Sequence, residues 1–414
     1  PYTTISAGLA ALPASLSGHS CVVIRDNATY GEQVTVQNFT MNGSSISIFV
    51  DPAVGGRPVV DPPAASTAGF MIVNASVNIT GLDVIVDQNI AYGIYASSAY
   101  VNLTSIGVST FGISAINMLG VRISSWSTIS YSTVGANAGG IWLDGSTMSV
   151  VSYSTAVSGS AALYLTDADS NTLTHSYFYS VSAAGVDLDA SSNFNTISGS
   201  TMVAAGAGYS ALYITAADSN TVTGSYMWNL AGYGASLTGG ANRNTISQST
   251  MVAGNITYSG LRLNSSKLNL VTDSYIQNLG NDGVVFETAS NDNVLSQSTV
   301  IVNGAGDLGL YLQGSDTNTV TGCYIQNLTG DGAYVDSTAN DNLISGSVMV
   351  SGGASYAALQ LNGADRTTVA DSTMRNTAGY GAYILTTANS NTIIRSTVTS
   401  FATTANRYGL YILS

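Results

Sequence analysis

Few side chains in this 414-residue sequence are of the types that carry out acid–base or nucleophilic chemistry near neutral pH. The two histidines, His19 and His175, are far apart along the chain. The two cysteines, Cys21 and Cys323, are also far apart. Serine recurs at matched places, but no base recurs beside it, and a nucleophilic serine needs such a base. We therefore predict no catalytic residue, and we predict a turn role for this serine column. The column consists of Ser200, Ser249, Ser298, Ser347 and Ser396.

A second column mixes carboxylates, amides and one lysine at steps of 24 or 25 residues. Such residues suit the capping of Asx turns, whereas calcium needs several oxygens that converge on one ion. No Asp-x-Asp-x-Asp phrase occurs, so calcium stays a possibility without support, and we predict no other metal and no cofactor. The column consists of Asp169, Asn193, Asp218, Asn242, Lys267, Asn291, Asp316, Asn340, Asp365 and Asn389.

A repeat positions all of these residues. An asparagine returns every 24 or 25 residues, and two steps make a unit of 49 residues. A fixed period of this size is the sequence sign of a solenoid, in which stacked amides hydrogen-bond from coil to coil. The predicted structural ladder consists of Asn171, Asn195, Asn220, Asn244, Asn269, Asn293, Asn318, Asn342 and Asn391, with Thr367 in the one missing place and looser matches at Asn78, Asn102, Arg122 and Ser149.

Short alternating patterns fill each repeat. The coil at residues 260–276 reads Gly-Leu-x-Leu, then Asn-x-Val, then Ser-x-Ile. Apolar residues two apart are typical of strands with one buried face, and the Gly, Asn, Ser and Asp between them favour turns. Each coil therefore holds three short strands in parallel register, and about 15–16 coils fit into the chain.

This pattern resembles the parallel β-helix repeat of the pectin-lyase-like superfamily, in which Gly–apolar–x–apolar is followed by Asn–x–apolar and a further apolar pair. The resemblance runs from about Val77 to the end of the sequence. It implies an all-β fold, a right-handed parallel β-helix solenoid. It does not imply one function, because this fold carries lyases, hydrolases, esterases, adhesins and phage fibres.

The first residues differ from the repeats. Ile5, Leu9, Leu12 and Leu16 approximate one face of a helix, and residues 2–34 resemble the opening of pectin methylesterases, in which a helix caps the first coil. A short N-terminal capping helix is therefore expected, because an open sheet edge needs cover. We predict one β-helix domain over 1–414, with a cap and irregular coils at 1–69, less regular coils at 70–160 and regular coils at 161–414.

The resemblance prompts a search for the chemistry of related enzymes. The Gly-His-Gly phrase of polygalacturonases and the Gln-Asp, Val-Asp-Phe and Arg-Pro-Trp phrases of pectin methylesterases are missing. Pectate lyases need Asp clustered with Arg, and the nearest candidates are Asp187 and Asp189 with Arg262, three coils apart. Acid–base catalysis needs two groups a few ångströms apart. The sequence therefore favours a protein without catalytic activity but does not decide the question.

Tyrosines recur between the paired apolar residues, at a position that points to solvent on an alternating strand. Three interpretations stay open: packing between coils, a sugar-stacking surface, or a lateral contact between copies. The hypothetical binding or assembly surface consists of Tyr164, Tyr213, Tyr311, Tyr334, Tyr383 and Tyr411.

A threonine and serine lattice flanks the third apolar position, as at Thr172 and Thr174. β-Branched residues suit a flat sheet. Regular Thr-x-Thr rows also occur on β-helical antifreeze proteins, so ice binding is a minor alternative. The lattice is interrupted at four places, which weakens that alternative: Leu270, Val294, Leu343 and Ile394.

The composition argues against two classes of function. A formal net charge of −13 and a pI near 4.1 argue against nucleic-acid binding. No apolar run approaches the ~20 residues of a membrane span. Pro1 in place of Met and the richness in Ser, Thr, Gly, Asn and Tyr predict a processed, secreted protein, extracellular or at the cell surface.

We predict a non-enzymatic extracellular structural or surface protein, a filament-forming or adhesive rod. Because the sequence stops within a coil at residues 410–414, we expect self-association, end to end or lateral. The alternative is a polysaccharide-binding or polysaccharide-degrading β-helix protein.

Overall fold

The computed structural model describes residues 1–110, 119–123, 125–189, 191–336, 338–385, 387–403 and 406–413. Two compact units divide the chain, Pro1–Thr201 and Met202–Ser414. Each unit is built from short parallel strands, and the first unit opens with one short helix. The prediction of a single domain, with changes of regularity near residues 69 and 160, stays a prediction.

The helix, α1, spans Ile5–Ala10, which is shorter than the pattern from Ile5 to Leu16 suggested. The Thr4 hydroxyl caps it by accepting the N–H of Ala7 at 3.0 Å. The Glu32 carboxylate accepts the N–H groups of Ile5 and Ser6 at 2.7 and 3.1 Å. Ile5 and Leu9 are buried, so the predicted capping helix is confirmed.

The strands of the first unit follow one another with short turns between them. In chain order they are β1 (Ser20–Ile24), β2 (Thr29–Tyr30), β3 (Val34–Val36), β4 (Ile46–Val50), β5 (Val59–Val60), β6 (Ala68–Val73), β7 (Ser76–Thr80), β8 (Asp83–Ile85), β9 (Tyr92–Ser97), β10 (Tyr100–Thr104), β11 (Gly107–Ser109), β12 (Leu119–Ile123), β13 (Thr128–Ser130), β14 (Thr133–Ala136), β15 (Gly139–Asp144), β16 (Val150–Ser152), β17 (Thr155–Ser158), β18 (Leu163–Thr166), β19 (Thr172–Thr174), β20 (Tyr177–Ser180), β21 (Val186–Asp189) and β22 (Thr196–Ser198). Strand β23 (Thr201–Ala204) falls on the boundary between the units.

The second unit continues the same alternation of strand and turn. Its strands are β24 (Ser210–Thr215), β25 (Thr221–Thr223), β26 (Tyr226–Asn229), β27 (Tyr233–Thr238), β28 (Thr245–Ser247), β29 (Thr250–Ala253), β30 (Leu261–Asn264), β31 (Leu270–Thr272), β32 (Tyr275–Asn278), β33 (Val284–Glu287), β34 (Val294–Ser296), β35 (Thr299–Val302), β36 (Leu308–Gln313), β37 (Thr319–Thr321), β38 (Tyr324–Asn327), β39 (Asp331–Val335), β40 (Leu343–Ser345), β41 (Val348–Ser351), β42 (Ala357–Leu361), β43 (Thr368–Ala370), β44 (Thr373–Asn376), β45 (Tyr380–Ile384), β46 (Thr392–Ile394), β47 (Thr397–Ser400) and β48 (Leu410–Ile412).

Each strand pairs in parallel with the strand three places further along the chain. In the first unit, β1, β4, β7, β10, β13, β16, β19 and β22 form one sheet, here called the first-position strands. The second-position strands begin with β2 and the third-position strands with β3, and the second unit repeats this order. Three strands per turn give about 16 turns over the described residues, which confirms the predicted all-β parallel solenoid.

The core of each unit follows from the alternation on these strands. The middle residue of each three-residue first-position strand points inward, as Ile129, Val151 and Leu173 do, and all three are fully buried. Adjacent turns approach closely where third-position strands begin. A Cβ at Gly309 would lie 2.3 Å from the Gly332 carbonyl oxygen, which explains the recurrent glycine there.

Asparagine amides tie successive turns together inside each unit. The backbone N–H of Asn171 donates to Asn195 Oδ1 at 2.8 Å, and Asn244 donates to Asn269 Oδ1 at 2.8 Å. The Asn269 Nδ2 atom donates in turn to the Ala241 carbonyl at 2.9 Å. These amides are buried and satisfy backbone groups that turns would otherwise leave unpaired.

The looser ladder positions predicted in the early coils are wrong at three of four places. Asn102 lies opposite Thr128 and Asn78, on the outward side of the first-position strands. Arg122 lies on β12, a third-position strand. Only Ser149 holds a ladder place, where its N–H donates to Asn171 Oδ1 at 2.9 Å. Irregular turn lengths shifted the count, and spacing alone could not reveal the shift.

Candidate functional site

The third-position strands of the first unit place two aromatic side chains and a carboxyl group in one outward column. Trp142 on β15 lies opposite Tyr164 on β18, and Tyr164 lies opposite Asp187 on β21. Alternation along each strand turns these three side chains away from the core. The parallel register then stacks them one turn apart, at about 4.8 Å.

Small residues around this column leave room for a ligand. The cleft has a volume of 640 Å³, within the usual range for a ligand site. Trp142, Tyr164 and Asp187 line it together with Tyr92 from β9. The other lining residues are short or apolar: Ala91, Ala138, Gly139, Ile141, Ser160, Ala161 and Ala183.

The aromatic rings of the cleft are held by hydrogen bonds at their edges. The Trp142 indole N–H donates to Thr166 Oγ1 at 3.2 Å. The Tyr164 hydroxyl donates to Asp189 Oδ2 at 2.7 Å. The two ring centroids are 5.9 Å apart with a tilt of 37°, so neither ring fully covers the face of the other. These contacts fix the orientation of the rings before any ligand binds.

Asp187 gives the cleft its distinctive electrostatics. Burial, and secondarily the nearby Asp189 carboxylate, raise the pKa of Asp187 to about 7. Its Oδ1 atom is buried and has no hydrogen-bond partner among the described residues. Burial is also the main cause that raises the pKa of Tyr164. Near neutral pH the site therefore offers a carboxyl group that can donate or accept a hydrogen bond.

The six predicted surface tyrosines do not form one continuous platform. Tyr164 belongs to the cleft of the first unit. In the second unit, Tyr311 and Tyr334 pack edge to face at 5.4 Å, and Tyr383 and Tyr411 pack at 5.3 Å. Tyr213 stands apart from these two pairs along the same column. All six tyrosines are half-buried.

The column between the tyrosine pairs of the second unit is partly closed. Val285 and Ser236 occupy the same outward position of their strands as the predicted tyrosines, yet both are buried. Arg262 lies opposite Ser236 and Val285, and its side chain pairs with Glu287 and lies 5.4 Å from the Tyr233 ring centroid. The expectation of free exposure along this column is therefore wrong, because neighbouring side chains pack over it.

The other chemically capable residues do not come together. His19 accepts the Ser45 backbone N–H at 3.1 Å, and His175 stacks on Tyr153. Cys21 is exposed and Cys323 is buried, both as free thiols. No group of three His, Cys, Asp or Glu side chains could hold a metal within the described ranges. In the predicted capping column, Asp169 and Asp218 accept the N–H groups of Asn193 and Asn242.

Trp142 is the site residue that sequence reasoning missed. Residues 140–143 read Gly-Ile-Trp-Leu, which matches the Gly–apolar–x–apolar phrase of the regular coils. Applying that phrase to the less regular zone would have found it. The end-to-end association expected at residues 410–414 involves Ser414, which lies outside the described residues.

Comparison with known families assigns the chain to a class. Residues 210–356 match the family described as right-handed β-helix region. This match covers less than half of the chain, and it is the match expected of a right-handed parallel β-helix, so the predicted handedness is confirmed. Residues 25–204 and 129–258 match the family described as periplasmic copper-binding protein (NosD). Together these two matches span more than half of the chain, which therefore belongs to this NosD family.

Solved structures with this fold are distant in sequence. The A-module of mannuronan C-5 epimerase AlgE6 from Azotobacter vinelandii is 12% identical, with 90% of each chain covered and a TM-score of 0.43. DFA-IIIase from Arthrobacter chlorophenolicus is 11% identical, with 72% and 84% covered and a TM-score of 0.41. PfbA, a surface adhesin of Streptococcus pneumoniae, is 9% identical, with 85% and 84% covered and a TM-score of 0.38. Comparison with curated sequences finds no significant match.

Among the described residues, no helix has the length and apolar character needed to cross a membrane.

Proposed function

We propose that this protein binds a polysaccharide outside the cytoplasm, in the cleft of the first unit. The observation that carries this proposal is the column of Trp142, Tyr164 and Asp187 along a 640 Å³ cleft. Aromatic rings fit the apolar faces of sugar rings, and a carboxyl group fits their hydroxyls. The two rings and the carboxyl group lie on successive turns, so a glycan chain parallel to the column contacts all three.

The polar groups of the cleft suit a ligand with many hydroxyls. The Asp187 Oδ1 atom has no partner in the described part of the chain, and leaving it so costs free energy. A sugar hydroxyl that bonds to Asp187 removes this cost. The match to the periplasmic NosD family is compatible with a place outside the cytoplasm.

The test is binding to a panel of neutral and acidic polysaccharides, measured by calorimetry or affinity electrophoresis. We expect Trp142→Ala to weaken binding at least tenfold, because a ring contact of about 1.4 kcal/mol is lost. Tyr311→Ala, in the corresponding column of the second unit, is the matched control and should keep wild-type affinity. Equal losses in both variants, or no binding to any glycan, would contradict the proposal.

Cleavage of the bound glycan is a second candidate function. The observation that favours it is the pair Asp187 and Asp189, two residues apart on the same face of β21. The raised pKa of Asp187 suits a proton donor, while Asp189 accepts from the Tyr164 hydroxyl. Release of reducing ends by wild type, abolished in Asp187→Asn with binding retained, would support it. Binding without product would leave a non-catalytic binding or surface protein, as the sequence favoured.

A further inference from the structure

A different face of the first unit carries exposed aromatic side chains in two columns. Tyr100 begins β10, and Trp126, Met148 and Phe194 lie in the turns before β13, β16 and β22; each of the four is 50–63% exposed. At the turns after the first-position strands stand Tyr131, Tyr153 and His175, also exposed. Between the two columns lie the outward Thr and Ser side chains of β13, β19 and β22, with Val150 and Ser152 of β16. We call this surface the aromatic-framed face.

The turns that carry Tyr131 and Tyr153 share their backbone conformation with the corresponding turns of the second unit. Tyr131 and Tyr153 have φ of 49° and 47°, in the left-handed region that favours glycine. At the corresponding turns of the second unit, Gly224, Gly322 and Gly346 take this conformation. Gln248, Asp273 and Gln297 take it as well. The positive φ therefore belongs to the turn, and what distinguishes this face is the aromatic side chain carried there.

Charge is scarce on the aromatic-framed face, although the whole chain carries −13. In the second unit the same two turn columns hold exposed ion pairs, Arg366 with Asp341 and Arg395 with Asp371. In the first unit, Asp167 and Asp169 lie beside the exposed Ser170, and Asp169 accepts the Asn193 N–H. Arg57, which pairs with Asp83, donates to the Ser105 carbonyl in the turn after β10. Enrichment in Trp, Tyr, Phe and Met with depletion of charge is typical of the centre of a protein interface.

The ring geometry argues against sugar stacking on the column of Tyr131, Tyr153 and His175. Tyr131 and Tyr153 stack at 5.1 Å with a 4° interplanar angle, and Tyr153 and His175 stack at 5.1 Å with 12°. Both faces of the Tyr153 ring are therefore covered by neighbouring rings. Sugar stacking needs an open ring face, whereas contacts to a protein can use ring edges and the tyrosine hydroxyl.

We propose that the occupant of the aromatic-framed face is the same face of a second copy of this chain. Two copies share one axial repeat, so their rings and hydroxyls stay in register over several turns. Thr and Ser hydroxyls both donate and accept, which makes the lattice complementary to itself. Two chains of net charge −13 repel each other, and a face with few charges is where they can approach.

The size of the face sets the strength of this contact. Five turns span about 19 Å along the column, and the strand between the aromatic columns spans about 16 Å. This footprint of roughly 300 Å² before side chains are added is below the ~800 Å² per partner of a stable complex. The dimer is therefore weak and depends on protein concentration, and it strengthens with salt, which screens the repulsion.

The test is sedimentation equilibrium of the full chain over a wide concentration range, at low and high salt. We expect the wild-type mass to rise from 42.3 kDa towards twice that value. The double variant Tyr131→Gly with Tyr153→Gly should associate at least tenfold more weakly. Its unfolding midpoint in urea should not fall, because glycine suits the positive φ at both positions.

Gln248→Gly with Gln297→Gly is the matched control, since these residues hold the corresponding turns of the second unit with φ of 49° and 45°. It should associate like wild type. A single 42.3 kDa species at every concentration would overturn the proposal. So would equal association of wild type and the tyrosine variant, or loss of glycan retention in that variant at unchanged mass.

Discussion

The carboxyl group of Asp187 is the residue on which the chemistry of the cleft depends. Strand alternation directs it outward from β21, while the cleft around Tyr164 keeps it away from bulk water. An ordinary aspartate on a surface strand would be ionised at neutral pH. Here burial raises the pKa of Asp187, so the carboxyl group keeps its proton to higher pH and can donate a hydrogen bond.

Asp187→Asn should stabilise the fold at pH 8 and leave it nearly unchanged at pH 4. The folded pKa of Asp187 is about 7, above the ordinary 3.8, so the folded state holds the proton more tightly. The stability that the folded state gains from holding this proton is fully present below pH ~4 and is lost as pH rises through ~7. Urea unfolding should give the variant about 4 kcal/mol more stability at pH 8, because the pKa of Asp187 rises from 3.8 to about 7 on folding and each unit corresponds to ~1.4 kcal/mol. An equal difference at both pH values would contradict this account.

Among the structural elements, the asparagine ladder shows how turns hold one another. Each ladder amide of the second unit accepts the backbone N–H of the preceding turn, as Asn293 does from Asn269 at 2.9 Å. Thr367 interrupts this series because it has no amide oxygen. Its hydroxyl oxygen is buried and has no hydrogen-bond partner among the described residues. Its N–H still donates to Asn391 Oδ1 at 2.8 Å.

Thr367→Asn should therefore raise the free energy of unfolding by about 1 kcal/mol. The new amide would accept from the turn below and donate to a carbonyl, as Asn342 donates to Ser315 at 3.0 Å. Asn269→Ala is the opposite test and should cost about 3 kcal/mol, because two buried backbone groups lose partners. Both values come from chemical denaturation. A destabilised Thr367→Asn would show that the site has no room for the amide.

At the scale of the whole molecule, the 49-residue period makes coils of the second unit interchangeable. Stability in such repeats is close to a sum of terms between neighbours. Removal of residues 260–308 joins Ser259 to Gly309, which occupies the place that Gly260 held. The strands on both sides of the junction keep their positions in the turn.

The deletion of residues 260–308 should fold with the same far-UV circular dichroism per residue. Its urea m-value should fall by about an eighth, in proportion to the surface removed. A deletion of residues 260–296 is the control. It joins Ser259, which precedes a third-position strand, to Gln297, which follows a first-position strand, so the order of strands within the turn is broken. That chain should lose its cooperative transition. If both deletions fold equally well, register between turns does not govern stability.

The sequence by itself determined the parallel solenoid, its three strands per turn and its number of turns. Local alternation and a strict period carry this information, because each turn repeats the same contacts with its neighbour. The period also located the ladder from Asn171 onward, where turn lengths are constant. It failed at Asn102 and Arg122, where uneven turns moved the register.

Only the tertiary structure decided which outward side chains are functional candidates. Alternation says that Trp142, Tyr164, Val285 and Tyr311 all leave the core, yet Val285 is buried while Trp142 lines a cleft. The difference depends on the size of residues in turns above and below, which a period does not encode. The raised pKa of Asp187 arises in the same way, since desolvation is set by neighbours from other turns.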